Sequence, residues 1–185
     1  MKKIFFSIFS ILYILIVSAT AIADGNISSS NLSEEIEVQK AIAGKWYSCG
    51  DDFRFMFLYQ PVMTKSQSYQ TAEGMFILFR VWISNDSGKP LAGLKNDSFK
   101  LSRENKGNST DFSLSGGHSR ITSQAWQIDL LQDAFPALSK KDTFLVFDVD
   151  GNWNDPWVLT FSPIEKGTEE KLCTIKLMLP EISRK

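Results

Sequence analysis

MFILFRVWIS, residues 75–84, alternates with a period of two. Met75, Ile77, Phe79, Val81 and Ile83 fall on one side, and Phe76, Leu78, Arg80, Trp82 and Ser84 on the other. The first side is strictly apolar and the second turns polar toward its end. That pattern marks a central strand with one face in a core. NDSGKP follows at 85–90, a turn cluster of Asn, Asp, Gly and Pro.

The same period recurs on either side. Phe53, Phe55, Phe57 and Tyr59 share a face in FRFMFLY, as do Phe99 and Leu101 in SFKLS. Further strands are expected at FSLS, 112–115, and at KDTFLVFDV, where Leu145, Phe147 and Val149 oppose Phe144 and Val146. WVLTF aligns Trp157, Leu159 and Phe161, and KLCTIKLML aligns Cys173, Ile175, Leu177 and Leu179. No amphipathic helix of three or more turns stands out. One short helical turn is expected in 130–142, and an element of either type in 34–43. About seven to nine short antiparallel strands separated by turn signals predict an all-β, immunoglobulin-like β-sandwich over 45–180. Fourteen Phe and five Trp supply large rings for a core between two sheets.

The N-terminus is read as an export signal. Lys2 and Lys3 precede the apolar run Ile4 to Val17, and SATAIA follows with Ala21 and Ala23 spaced A-x-A. A charged start, an apolar middle and a small-residue cleavage site make residues 1–23 a secretory signal peptide, with cleavage after Ala23 or else Ala21. The run is shorter than the ~18 residues expected of a membrane span. The chain of 185 residues would then leave 162, enough for one domain with a sizeable core. Residues 24–44 read as a flexible polar leader or a short helix, and no later segment reads as a membrane span. A secreted or periplasmic protein is expected.

Twenty basic and twenty-one acidic residues give a net charge of −1; the two lysines lost with the signal make it −3. A weakly acidic chain with scattered basic residues argues against nucleic acid as a partner. The two cysteines, Cys49 and Cys173, are expected to form a disulfide, because an even number in an exported chain favours pairing.

Three pieces carry a family resemblance: EGMFILFRVWISNDSGKPL (73–91), DSFKLSRENKGNSTDFS (97–113) and ALSKKDTFLVFDVDGN (137–152). In this order they resemble the telokin-like, immunoglobulin-like domains of unknown function of bacterial secreted proteins and lipoproteins, over roughly residues 46–163. The resemblance implies an extracytoplasmic β-sandwich and carries no catalytic residues. Ser139-Lys140-Lys141 departs from the family's usual Pro-Gly turn, and the cysteine pair is not part of its pattern.

Chemistry-bearing constellations are sparse. His118, the single histidine, is expected as a solvent-exposed loop residue in SGGHS. No G-x-S-x-G elbow or phosphate-cradling glycine loop occurs, and one histidine with two distant cysteines makes no zinc cluster. FDVDGNWND, 147–155, offers one weak calcium candidate, Asp148, Asp150, Asn152 and Asp155. An EF-hand-like loop would want Gly at position 6 and Glu at 12; counted from Asp148, Trp153 and Leu159 stand there. A turn between strands is the preferred reading, with no cofactor. Asn-x-Ser/Thr at Asn26, Asn31, Asn85, Asn96 and Asn108 reads as polar loop sequence. The expected function is a non-enzymatic interaction domain binding a protein or cell-envelope partner. The alternative is a small secreted hydrolase with a site assembled from loops.

Overall fold

The computed structural model describes residues 36–105, 108–150, 156–180 and 182–184. The signal peptide and most of the polar leader lie outside them. In chain order the strands are β1 (Val38–Lys40), β2 (Trp46–Cys49), β3 (Phe53–Phe57), β4 (Val62–Gln67), β5 (Gln70–Asn85), β6 (Phe99–Asn105), β7 (Asn108–Ser113), β8 (Ser139–Val149), β9 (Trp157–Phe161), β10 (Ile175–Met178) and β11 (Ser183–Arg184). A helix, α1 (Gly116–Ala125), stands between β7 and β8.

The strands form two sheets. One runs β1-β10-β9-β6-β7, the other β11-β4-β5-β3-β2 with β8 paired to β5. Strand β5 organises the second sheet. Its first half pairs with β4 (Val62↔Leu78, Thr64↔Phe76) and its second half with β3 (Phe57↔Val81 to Phe53↔Asn85). Its other edge pairs with β8, from Met75↔Val149 to Asn85↔Ser139.

The expected inward faces meet between the sheets. Ile77, Phe79, Val81 and Ile83 join Leu145, Phe147 and Val149 from one sheet, and Phe99, Leu101, Leu159 and Phe161 come from the other. Phe55 spans the gap, 5.4 Å from Phe161 and 6.3 Å from Phe99 between ring centroids. Fully burying one such ring stabilises by about 2–3 kcal/mol, so the layered rings dominate the cohesion of the sandwich. The chain is an all-β sandwich.

Several details depart from the expectation. Eleven strands are present among the described residues, against seven to nine expected, and not all pairings are antiparallel. β1 lies parallel to β10, and β11 parallel to β4. Pairs of three and two residues are too short to show a period. The hairpin between β4 and β5 was not anticipated because its turn, Ser68-Tyr69, has positive φ at both residues (48° and 64°) without a glycine or asparagine. A primed two-residue turn normally shows itself through those residues. The segment 130–142 holds no helix, and residues 116–125, where SGGHS is expected as a loop, form α1. Tyr59 does not continue the inward row of β3; the strand ends at Phe57 and the ring is exposed. Asn85 is not in a polar loop. It is fully buried at the end of β5 and donates from Nδ2 to the carbonyls of Lys89 and Pro136.

Candidate functional site

The cysteines meet as a disulfide, with Cα atoms 5.5 Å apart, tying β2 of one sheet to the segment before β10 of the other. Of the calcium candidates, Asn152 and Asp155 lie outside the described residues. The Asp148 carboxylate accepts the backbone N–H of Glu73 (2.9 Å) and of Gly74 (3.0 Å). There the β5 and β8 backbones crowd together, and a Cβ on Gly74 would lie 2.0 Å from the Val149 carbonyl oxygen. Asp150 accepts from Arg103 Nη1 at 3.0 Å. Both carboxylates therefore face protein donors rather than one shared point. Among the described residues no group of three or more His, Cys, Asp or Glu converges on a metal position.

His118 is half-buried in the first turn of α1, not in an exposed loop. Its Nδ1 lies 2.7 Å from Ser115 Oγ, and its ring centroid is 4.7 Å from that of Phe76. The contact spans three residues across the helix start, so it is local to that turn.

Helix α1 explains the outer face of the second sheet. Among the described residues, strand β8 has no backbone partner on its edge away from β5 except where Val146 accepts from Ser115 N–H. The N–H groups on that edge are taken by side chains instead. Ser119 Oγ accepts from Val146 N–H (2.9 Å), Ser123 Oγ from Phe144 N–H (3.0 Å) and Asp129 Oδ2 from Asp142 N–H (2.9 Å). Residues four apart sit above one another on a helix, so Ser119 and Ser123 reach alternate N–H groups of one strand. The helix thus blocks an edge that could pair with another chain. It also covers Phe76 and Val146, whose second cluster with Ala72, Leu78 and Phe144 lies behind the main core.

At its C-terminus α1 closes with a left-handed Gln127 (φ 53°). Gln127 N–H donates to the Gln124 carbonyl and Ile128 N–H to that of Ser123, and Ile128 packs on the second cluster. This Schellman-type end holds Trp126 at the rim. Its indole is exposed (54%), 5.6 Å from the Phe144 ring and 5.8 Å from the Arg80 guanidinium.

Opposite stands Tyr59, 63% exposed, on the connection from β3 to β4. Between the two rings runs an open groove of about 390 Å³. Leu78, Phe144 and Arg80 form its floor, Gln60 joins Tyr59 on one wall, and Thr64 and Gln67 of β4 extend it. Arg80 is bound by Asp142 in a two-point fork, Nε to Oδ1 at 3.0 Å and Nη2 to Oδ2 at 2.8 Å. That hydrogen bonding raises the Arg80 pKa further above its ordinary value, so the guanidinium stays charged and balanced. Next along the face, Trp46, Met56 and Trp82 stand side by side across β2, β3 and β5. Lys140 Nζ sits 3.4 Å above Trp82, and Arg54, paired with Asp86, 5.2 Å above Trp46.

None of the groove residues was singled out as a site from sequence. Two signals were there: Arg80 interrupting an apolar strand, and Trp126 standing between Ala125 and Gln127 in a polar run. Neither shows that Tyr59 lies opposite, because that placement comes from the turn after β3.

No family model matches the sequence, and no curated protein does. Solved structures match it in three dimensions. YcdA of Bacillus subtilis, described as a lipoprotein, aligns with a TM-score of 0.50 and 14% identity over 72% of this chain and 38% of its own. A Staphylococcus aureus protein, also described as a lipoprotein, aligns with a TM-score of 0.52 and 10% identity over 82% of this chain and 97% of its own. YjhA of Bacillus subtilis gives a TM-score of 0.50 at 11% identity, over 77% and 100%. The likeness is one of fold. This chain spans about two fifths of the length of YcdA. No described helix is long and apolar enough to cross a membrane.

Proposed function

We propose that this chain is an extracytoplasmic, non-enzymatic interaction module that binds a cell-envelope partner through the outer face of its β4–β5–β8 sheet. The observation that carries the reading is the groove between Tyr59 and Trp126, two exposed rings above a paired Arg80 and Asp142. Exposed aromatic rings over satisfied polar groups suit reversible binding, since they offer contact area at low entropic cost. The export-type N-terminus and the fold-level likeness to proteins described as lipoproteins support the location. Kinship with the telokin-like domains is part of the same reading and rests on the sequence pieces alone. Ser115 and His118 contact each other but do not line the groove. No cofactor enters the reading.

The test is co-sedimentation of the purified protein with the envelope fraction of its source cells. A Tyr59→Ala/Trp126→Ala double variant should lose retention at nearly unchanged melting temperature. Equal retention of variant and wild type, or no retention of either, would overturn the proposal.

A further inference from the structure

Resting on that reading, the structure assigns the groove a ligand class: we infer that it binds a neutral, linear oligosaccharide lying along β4 between Tyr59 and Trp126. Three features select this chemistry. The first is charge. Arg80, the one ionised group on the floor, is neutralised by Asp142 in a two-point ion pair. The pair carries no net charge, so an anionic ligand gains no net attraction there, and a cationic one would meet the guanidinium. A lipid tail would desolvate the pair without bonding to it, which is unfavourable.

The second feature is the floor itself. It is the face of a sheet, not its edge: β4 pairs with β5 at Val62↔Leu78 and Thr64↔Phe76, and β5 with β8 at Leu78↔Val146 and Arg80↔Phe144. An extended peptide recognised by strand addition needs an open strand edge, and a sheet face does not present one. A chain of hydroxyls needs side chains that donate and accept at once. Gln60 and Gln67 are such groups, and the Thr64 hydroxyl, which donates to the Ser66 carbonyl at 2.9 Å, is left as an acceptor.

The third feature is the pair of exposed rings. An aromatic face carries partial negative charge, and the C–H-lined faces of a pyranose ring present partial positive charge to it. Tyr59 and Trp126 stand on opposite sides of the groove, which is open, so a chain can pass through rather than end inside. From Val62 to Gln67, β4 spans about 16 Å at ~3.3 Å per residue, room for a short run of sugar rings.

The experiment titrates the purified protein with chitohexaose, cellohexaose and maltohexaose, following tryptophan fluorescence and confirming by calorimetry. Saturable binding of at least one is expected, with little change between 0.05 and 0.5 M NaCl. Trp126→Ala and Tyr59→Ala should each weaken it at least tenfold, while Tyr69→Ala, an exposed ring at the β4–β5 turn, should not. Failure of all three sugars to bind overturns the inference, as does binding unaffected by both groove variants. If the envelope fraction still retains wild type and releases the groove variant, yet none of the sugars competes, the sugar assignment falls and the interaction reading stands. If retention also fails, both fall.

Discussion

Removing the two serine hydroxyls that cap β8 should destabilise the fold sharply, although neither touches the main core. Ser119 and Ser123 are buried (3% and 1% exposed), as are the strand residues they serve, Val146 (0%) and Phe144 (8%). Each Oγ accepts one backbone N–H that has no other partner in the sheet. In Ser119→Ala/Ser123→Ala both amides remain buried and lose their acceptors. An orphaned buried donor costs about 1–3 kcal/mol. Alanine is a better helix former than serine by roughly half a kcal/mol per site, which offsets part of that. The net is about 0.5–2.5 kcal/mol per serine, or about 1–5 kcal/mol for both. The sites share one helix and one strand, so the double variant need not equal the sum. At roughly 2–4 °C per kcal/mol for a domain of this size, the melting temperature should fall by about 2–20 °C. Urea unfolding followed by tryptophan fluorescence gives the free energy. Amide hydrogen exchange reports locally: Phe144 and Val146 should lose protection before the amides that pair β5 with β3. A double variant within 0.5 kcal/mol of wild type, or unchanged exchange at those two amides, would refute the capping argument.

The disulfide closes a separation of 124 residues; loop-closure entropy for that length is about 5 kcal/mol, so Cys49→Ala/Cys173→Ala should lose several kcal/mol and unfold with a steeper urea dependence, because its unfolded chain expands more. A loss below about 1 kcal/mol in urea titrations would show that the cross-link does not restrain the unfolded chain in this way. Lys141 is buried at 6% exposure, with Nζ donating to the Leu130 and Asp133 carbonyls. Desolvation lowers its pKa from 10.5, against the opposing pull of Asp133 and Asp129. The folded state therefore sheds this proton more readily than the unfolded one, so the contribution of Lys141 to stability should rise with pH through the folded pKa until it levels off near 10.5. Stability–pH curves should show that rise in wild type and not in Lys141→Met; coincident slopes would exclude it.

The sandwich was legible because its largest signals are local. Ile77, Phe79, Val81 and Ile83 write the core face of β5 into adjacent residues, and Leu145, Phe147 and Val149 do the same for β8. The helix was not legible, for a physical reason. Its buried residues are Ser119, Thr122 and Ser123, placed there to serve the strand edge and not to avoid water. A reader looking for an apolar stripe at helical spacing finds polar residues and calls the segment a loop. The apolar run of Phe76 and Leu78 was the complementary clue. An outward face with buried rings needs a cover, and nothing else in the order of strands supplied one. The disulfide was readable from parity and an export-type N-terminus, whereas nearness in sequence does not bring the two described aspartates together. Asp148 and Asp150 are close in sequence but are used separately, one on the backbone of β5 and one on Arg103. The groove was least legible, since it joins a turn after β3, the middle of β5 and the end of α1.

Edge protection and ligand geometry meet in one element. Ser119 and Ser123 anchor α1 against β8, and the same helix ends at Trp126, one wall of the groove. The indole holds its place through the left-handed Gln127 and through contact with Phe144, the very residue whose N–H Ser123 caps. Loosening the caps should therefore disturb the wall as well as the edge, while changing the wall should leave the edge intact. Trp126→Ala removes a half-exposed ring and no buried hydrogen bond but uncovers part of Phe144, so its loss of stability should be small beside its loss of binding. The serine variants should lower both stability and affinity. Site and scaffold are coupled more strongly from edge to wall than from wall to edge, and that asymmetry follows from which groups are buried.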